Sequence, residues 1–150
     1  MAHRLNLTPV ALEHVSLIHA AIRENVAEYF YRFKNIDETR AWVTEAIQKH
    51  NEGIKEEFMV FSGDTFVGMI SPAFVTPHEA EIGLWIVPEM QGQGYGVATL
   101  QEIIPYLRTR GVTKLIYETD AHNKPSILLA TTLGFTEEKS NDGLKFTLTI

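Results

Sequence analysis

Residues 80–96 read A-E-I-G-L-W-I-V-P-E-M-Q-G-Q-G-Y-G, and the character of the chain changes twice inside this stretch. Glu81 to Val87 is apolar and rich in β-formers, the pattern of a buried strand. Pro88 cannot donate to a ladder hydrogen bond and marks the strand's end. Gly92, Gly94 and Gly96 then stand at alternate positions, ahead of a helical apolar rhythm at Val97, Leu100, Ile103, Ile104 and Leu107. A strand, a tight glycine turn and a helix N-terminus aim several backbone N–H groups at one point. The helix dipole favours negative charge there, so the turn predicts a site for a phosphate-bearing ligand.

Two phosphate motifs are excluded by inspection. A P-loop needs a lysine after its glycines, and none follows here. The dinucleotide fingerprint G-x-G-x-x-G fails in both registers, ending on Val97 from Gly92 and on Thr99 from Gly94. What remains is Q-x-x-G-x-G, Gln91 to Gly96, with a strand before it. This resembles the acetyl-coenzyme A pyrophosphate loop of the GCN5-related N-acetyltransferase (GNAT) superfamily.

Working outward, Arg4 to Thr8 alternates as a short strand, with Thr8 and Pro9 predicted to open a helix through Val10, Leu12, Val15, Leu17, Ile18, Ala21 and Ile22. A short helix is predicted from Asn25 and carries Tyr29, Phe30 and Phe33. Another runs from Asp37, as cap, to Asn51, closed by Gly53. Glu57 to Ser62 and Thr65 to Ser71 flank a Gly63-Asp64 hairpin turn, and Pro72 and Pro77 bracket a looser segment. Beyond the glycine turn, Pro105 predicts a kink or an early helix end. Thr113 to Thr119 reads as a strand and Lys124 to Leu133 as a helix. Phe135 to Lys139 and Leu144 to Ile150 read as a last hairpin around Asn141-Asp142-Gly143. This order suits an α/β fold, one mixed sheet with helices on both faces.

Tyr117 to Phe135 reads Y-E-T-D-A-H-N-K-P-S-I-L-L-A-T-T-L-G-F, a strand followed by N-x-x-[SA] and, at the proper distance, Gly134-Phe135. This is similar to the second landmark of the GNAT superfamily, in the order the family requires. The resemblance implies a GNAT-like sheet whose central parallel strands, Glu81–Val87 and Thr113–Thr119, splay apart to admit the pantetheine arm of acetyl-CoA. It implies backbone contacts near Ile86 and Val87, with a backbone N–H near Val87 meeting the thioester carbonyl. Gln91, Gly92, Gln93, Gly94, Tyr95 and Gly96 would hold the pyrophosphate, and Asn123 the pantetheine. Lys124, Arg108 and Arg110 are candidates for the remaining phosphate. Many family members carry a tyrosine seven residues after the asparagine; here that position is Ala130. With Ser126, the pattern resembles the RimJ/RimL-like branch, which acetylates protein N-termini, and polyamine acetyltransferases near it. Ser126 would then donate a proton to the departing thiolate. Glu81 matches the central-strand glutamate that serves as base in several relatives, while Glu118, Asp120 and His122 lie where they could also serve.

Composition narrows the field. The length fits one domain, here a single N-acetyltransferase domain over 1–150. The absence of cysteine excludes disulfides, thiolate catalysis and cysteine-ligated zinc. A formal net charge of −6 argues against nonspecific nucleic-acid binding. No apolar run approaches the ~18 residues of a membrane span, so no membrane partner and a cytoplasmic location are expected. The histidine spacings suit no metal site. The sequence is compatible with a homodimer. Three activities stay open: acetyl transfer to a protein N-terminal α-amine, transfer to a polyamine or other small amine, and noncatalytic acyl-CoA binding.

Overall fold

The computed structural model describes residues 4–22, 33–138 and 143–150. Seven strands form one mixed sheet in the order β1-β2-β3-β4-β5-β7-β6. They are β1 (Asn6–Pro9), β2 (Phe58–Ser62), β3 (Thr65–Thr76), β4 (Glu79–Ile86), β5 (Lys114–Thr119), β6 (Thr136–Glu138) and β7 (Leu144–Thr149). The helices are α1 (Val15–Ile22), α2 (Ile36–Asn51), α3 (Tyr95–Thr109) and α4 (Lys124–Thr132). Every neighbouring pair is antiparallel except β4 and β5, which run parallel.

Alternation along the strands sends apolar side chains to both faces. On one face Val60, Ile70, Ala80, Ile82, Leu84, Leu115 and Tyr117 pack against Leu100, Ile103 and Leu107 of α3 and Ala130 of α4. On the other, Met59, Phe66, Met69 and Trp85 pack against Val15, Ile18 and Ile22 of α1 and Val43 and Ala46 of α2. The central strands are thus sealed on both sides, and the predicted architecture holds.

Several local expectations are corrected. Pro9 ends β1 instead of opening a helix, and the Val10 N–H continues the edge ladder by donating to the Glu57 carbonyl at 2.9 Å. The chain then turns through a 3-10 segment at Leu12–His14, where the Ala11 N–H donates to His14 Nδ1 at 2.9 Å, so a histidine caps the turn and Thr8 does not. The cap of α2 is Asn35, not Asp37: its Oδ1 accepts the Glu38 N–H at 2.9 Å. The short helix predicted from Asn25 lies outside the described residues, as do Asn141 and Asp142 of the last turn.

Pro105 does not end α3, which runs on to Thr109. Pro105 and Gln101 both lie on the exposed side, where the carbonyl left without a donor is open to solvent. Pro72 likewise sits inside β3, not in a loose segment. In its pairing with Ile82 the nitrogen and carbonyl of Pro72 face away from β4, and the carbonyl accepts the Glu56 N–H at 2.9 Å. No ladder bond to β4 is lost, so the proline is tolerated. Glu56 is itself buried, receiving the Tyr106 hydroxyl at 2.6 Å and pairing with Arg110 at 2.9 Å, which ties the far end of α3 to the sheet.

Glu57, beside it, faces the other way, into a cavity of about 210 Å³ lined by Trp42, Glu45, Ala46 and Lys49 of α2 and by Lys55. Burial pushes its carboxyl up from 4.5 to about 7, against the lowering effect of Lys55, the Ser71 hydroxyl and Lys49. Between those two values the folded chain holds a proton that the unfolded chain has released, so stability falls as pH rises through the window. Glu57→Gln keeps the shape without the charge. It is expected to leave stability near pH 4.5 unchanged and to raise it at about pH 8 by up to about 3 kcal/mol. Urea unfolding at the two pH values checks this, and equal stabilities at the upper one would refute the raised value.

Candidate active site

The site begins where two strands part. β4 and β5 pair only at Glu79–Lys114, Ala80–Leu115 and Glu81–Ile116, although β4 continues to Ile86 and β5 to Thr119. Beyond Glu81 and Ile116 a wedge opens between them. The direction of the backbone groups in that wedge follows from one hydrogen bond, Val87 N–H to Val67 carbonyl at 2.8 Å. Residues of β4 alternate their hydrogen-bonding side, so odd positions face β3 and the N–H and carbonyl groups of Ile82, Leu84 and Ile86 face β5. The expected splay is therefore present, with a row of main-chain groups turned into it.

This alternation amends one assignment. Both backbone groups of Val87 are engaged within the protein, its N–H with Val67 and its carbonyl with the Met90 N–H at 2.8 Å. The donor expected near Val87 is thus not the Val87 N–H itself, which is aimed at β3; the groups that reach the wedge belong to Ile86 and to Leu84, the latter not singled out by the sequence. The Ile86 carbonyl carries the Gln91 side-chain amide at 2.9 Å.

The glycine turn sits at the mouth of the wedge. Pro88–Met90 forms a 3-10 turn that consumes the Gln91 N–H (to the Pro88 carbonyl, 3.2 Å), so Gln91 contributes by bracing the turn and not through its N–H. The Gln93 side chain similarly donates back to the Glu89 carbonyl at 3.0 Å. Gly92 has φ +74° and Gly94 φ +85°, a region that side chains other than glycine's rarely adopt. Gly94 is the N-cap of α3 and offers no capping side chain. The N–H groups of Gly92, Gly94, Gly96 and Val97 have no main-chain acceptor among the described residues. Gly96 serves a different purpose: a Cβ there would come within 2.7 Å of Leu129 on α4, so its absence lets the first turn of α3 lie close to α4 and the end of β4. Tyr95, next to it, packs against the α3/α4 core.

The second wall comes from the β5–α4 junction. Asn123 is the N-cap of α4 and its Oδ1 accepts the Ser126 N–H at 3.2 Å. Its oxygen being so used, Asn123 offers a ligand the amide Nδ2, a donor suited to an amide carbonyl. Ser126 is half-buried, and its Oγ lies 3.0 Å from the Tyr117 hydroxyl. Lys124 is exposed in the first turn of α4. Arg108 and Arg110 are removed from the anion-binding candidates, because they stand at the opposite end of α3 from the glycine turn, roughly 20 Å away at 1.5 Å per residue. Arg110 is moreover committed to Glu56, Tyr106 and the Phe74 ring.

The acidic candidates occupy the opposite face. Glu81 alternates with Ala80 and Ile82, which enter the α3/α4 core, and so shares the α1/α2 face with Trp85. It stands at the last pair of the parallel ladder, the root of the wedge, and is half-buried. Glu118 is exposed and opposite in direction to Tyr117, on the face of Glu81. Asp120 spends an oxygen on the His122 N–H at 2.7 Å, shaping the turn into α4, and His122 is exposed.

The residues present fit acetyl-CoA: capless N–H groups for the pyrophosphate, a row of strand groups for the pantetheine amides and a donor at Asn123. Comparison with known proteins agrees. A sequence model of the family described as "Acetyltransferase (GNAT) domain" matches residues 4–136. The chain is 27% identical over 144 residues to the ribosomal-protein-serine acetyltransferase of Escherichia coli (strain K12), spanning 90% of this chain and 80% of that one. A solved RimL α-N-protein acetyltransferase in complex with coenzyme A superposes with a TM-score of 0.88 at 23% identity, over 97% of this chain and 94% of that one. The spermidine N-acetyltransferase of Vibrio cholerae, solved with CoA and spermine, gives a TM-score of 0.81 at 18% identity, over 97% and 95%. With the parted strands, the glycine turn and a family match over most of its length, the chain belongs to the GNAT family of acetyl-CoA-dependent N-acetyltransferases.

Proposed function

We propose that residues 1–150 form one N-acetyltransferase domain that passes acetyl directly from acetyl-CoA to a protein N-terminal α-amine, in the manner of the RimL-type relatives, in the cytoplasm where that thioester is made and used. The observation that carries this reading is the parting of β4 from β5 beyond Glu81 and Ile116, directly above the capless turn of α3. The E. coli relative's action on a ribosomal protein supports the acceptor class.

Acetyl-CoA supplies the activated acetyl carbonyl. The main-chain groups of Leu84 and Ile86 hold the pantetheine extended along β4, and the N–H groups of Gly92, Gly94, Gly96 and Val97 hold the pyrophosphate against the positive end of α3. Asn123 fixes the arm on the β5 side, and Lys124 adds charge near the phosphates. Such fixing supplies much of the rate by removing the freedom of two reactants.

Proton handling divides between the two faces of the sheet. The nitrogen must attack as a free amine. A lysine-like amine costs about 4.6 kcal/mol to deprotonate at pH 7, an α-amine only about 1.4 kcal/mol. Glu81, on the α1/α2 face, takes the proton that the nitrogen sheds; a carboxylate is a weak base, which suits the α-amine better than the lysine-like one. Ser126, on the α4 face, gives a proton to the departing sulfur. Base and acid thus approach one carbonyl carbon from opposite sides of the wedge.

Two measurements test the assignment. Gly94→Val forces a β-branched residue into a left-handed backbone at the mouth of the anion site. It is expected to raise the KM for acetyl-CoA by about tenfold or more, the value of one or two lost charge-assisted hydrogen bonds; an unchanged KM would remove the turn from cofactor binding. A thiol-release assay with peptides bearing free α-amines, with polyamines and with lysine side chains is expected to favour the peptides. Preference for spermidine would move the enzyme to the polyamine class. CoA binding without thiol release on any amine would make it a noncatalytic acyl-CoA module.

A further inference from the structure

Tyr117 has no part in the motifs that mark the site, yet the fold delivers its hydroxyl there. It is the first residue of β5 beyond the last pair with β4, so it stands at the root of the wedge. Its ring is buried, 5% exposed, and meets Phe135 edge-on at 6.3 Å between centroids. A phenylalanine would fill this place equally well. The one thing the phenol adds is a hydroxyl, and that hydroxyl lies 3.0 Å from Ser126 Oγ.

Two hydroxyls that meet must settle which one donates. A phenol is more acidic than an alkyl alcohol by several pKa units, so the stronger bond is the one in which Tyr117 donates and Ser126 Oγ accepts. Burial raises the Tyr117 pKa above its ordinary value, which keeps the donor proton in place at neutral pH. Ser126 then has its accepting side occupied by Tyr117, and its N–H anchored to Asn123 Oδ1. Its own hydroxyl proton is left to point away from Tyr117.

We propose that Tyr117 is a positioning residue for acetyl transfer, its buried hydroxyl donating to Ser126 Oγ so that the Ser126 proton is directed at the departing sulfur. The inference rests on the assignment of Ser126 as that proton's source. As the N–C bond forms and the C–S bond breaks, the nitrogen's proton passes to Glu81. Ser126 Oγ gives its proton to the sulfur and recovers one from solvent. While Oγ carries negative character, the Tyr117 hydrogen bond stabilises it, as a fixed donor does at any site of developing charge. Tyr117 keeps its own proton throughout.

Steady-state kinetics on Tyr117→Phe, Ser126→Ala and the double variant test this, alongside NMR of the ligand-free protein carrying ¹³Cζ-labelled tyrosine. Tyr117→Phe is expected to lower kcat about tenfold while the KM for acetyl-CoA stays within about twofold, and the double variant to be no slower than Ser126→Ala alone. In the ligand-free protein, Ser126→Ala is expected to shift the Tyr117 resonance and to raise its pKa, because the serine contact lowers it. An unchanged kcat for Tyr117→Phe, multiplicative losses in the double variant, or a Tyr117 resonance insensitive to Ser126→Ala would each overturn the inference. Should Ser126→Ala itself keep full kcat, the assignment of Ser126 falls and this inference with it. That outcome differs from an impaired Ser126→Ala beside an unimpaired Tyr117→Phe, which overturns the role of Tyr117 alone.

Discussion

A β-sheet is a contract to satisfy every backbone group, and this sheet breaks it in one place. Past Glu81 and Ile116, β4 and β5 cease to bond although both strands continue. An unpaired strand edge in the middle of a sheet is costly unless something else supplies the missing partners. A ligand that is itself an extended chain of amides, as pantetheine is, meets that need with the geometry of an added strand. The surrounding features keep the gap from closing: α3 and α4 cover one face of it, and β7 holds β5 from the far side through Thr119.

The close approach of β3 to β4 is the second half of the arrangement. At Gly68 a Cβ would fall 2.1 Å from the Trp85 carbonyl and 3.0 Å from the Ile86 Cα. Only a residue without a side chain lets β3 take up the odd-numbered groups of β4 so tightly at the level of the site. The register shift between Val60 and Phe61 on the neighbouring strand lies beside it. Where β3 claims Val87 and Trp85, the groups of Leu84 and Ile86 are left to face the wedge. Which backbone groups face the wedge is thus set by strand parity, not by side-chain identity.

Much of this was legible in the sequence because backbone chemistry leaves strong residue signals. Gly92 and Gly94 announce the positive φ angles they adopt, and Asn123 followed by Ser126 announces a capped helix. The less legible parts depended on partners distant in sequence. Pro72 reads as a loop residue because the sequence does not say that its nitrogen faces the side where β2 has ended. Pro105 reads as a helix breaker because its solvent exposure is a tertiary fact. Thr8 and Pro9 form a good helix start on local grounds, and the edge pairing with Phe58 and Met59 overrides it. The sequence points to Ile86 and Val87 without separating them, because parity is fixed by a bond to Val67. Tyr117 carries no signal beyond its place in the Thr113–Thr119 strand, since only the fold reveals that Ser126 lies within reach of its hydroxyl.

The carboxylates show why burial alone does not identify a base. Glu57 has the raised pKa often found in general bases, but it lies two strands from β4, roughly 10 Å at the usual spacing, and faces a cavity under α2. Glu56 is buried as deeply and spends its charge on Arg110 and Tyr106, where it holds α3 to the sheet. Glu81 alone of the three stands where the parallel ladder ends. A group that must exchange a proton with an incoming amine needs access to the wedge before it needs an unusual affinity for the proton. For an α-amine, which costs only about 1.4 kcal/mol to deprotonate at pH 7, a carboxylate in the right place is sufficient, and position outranks pKa.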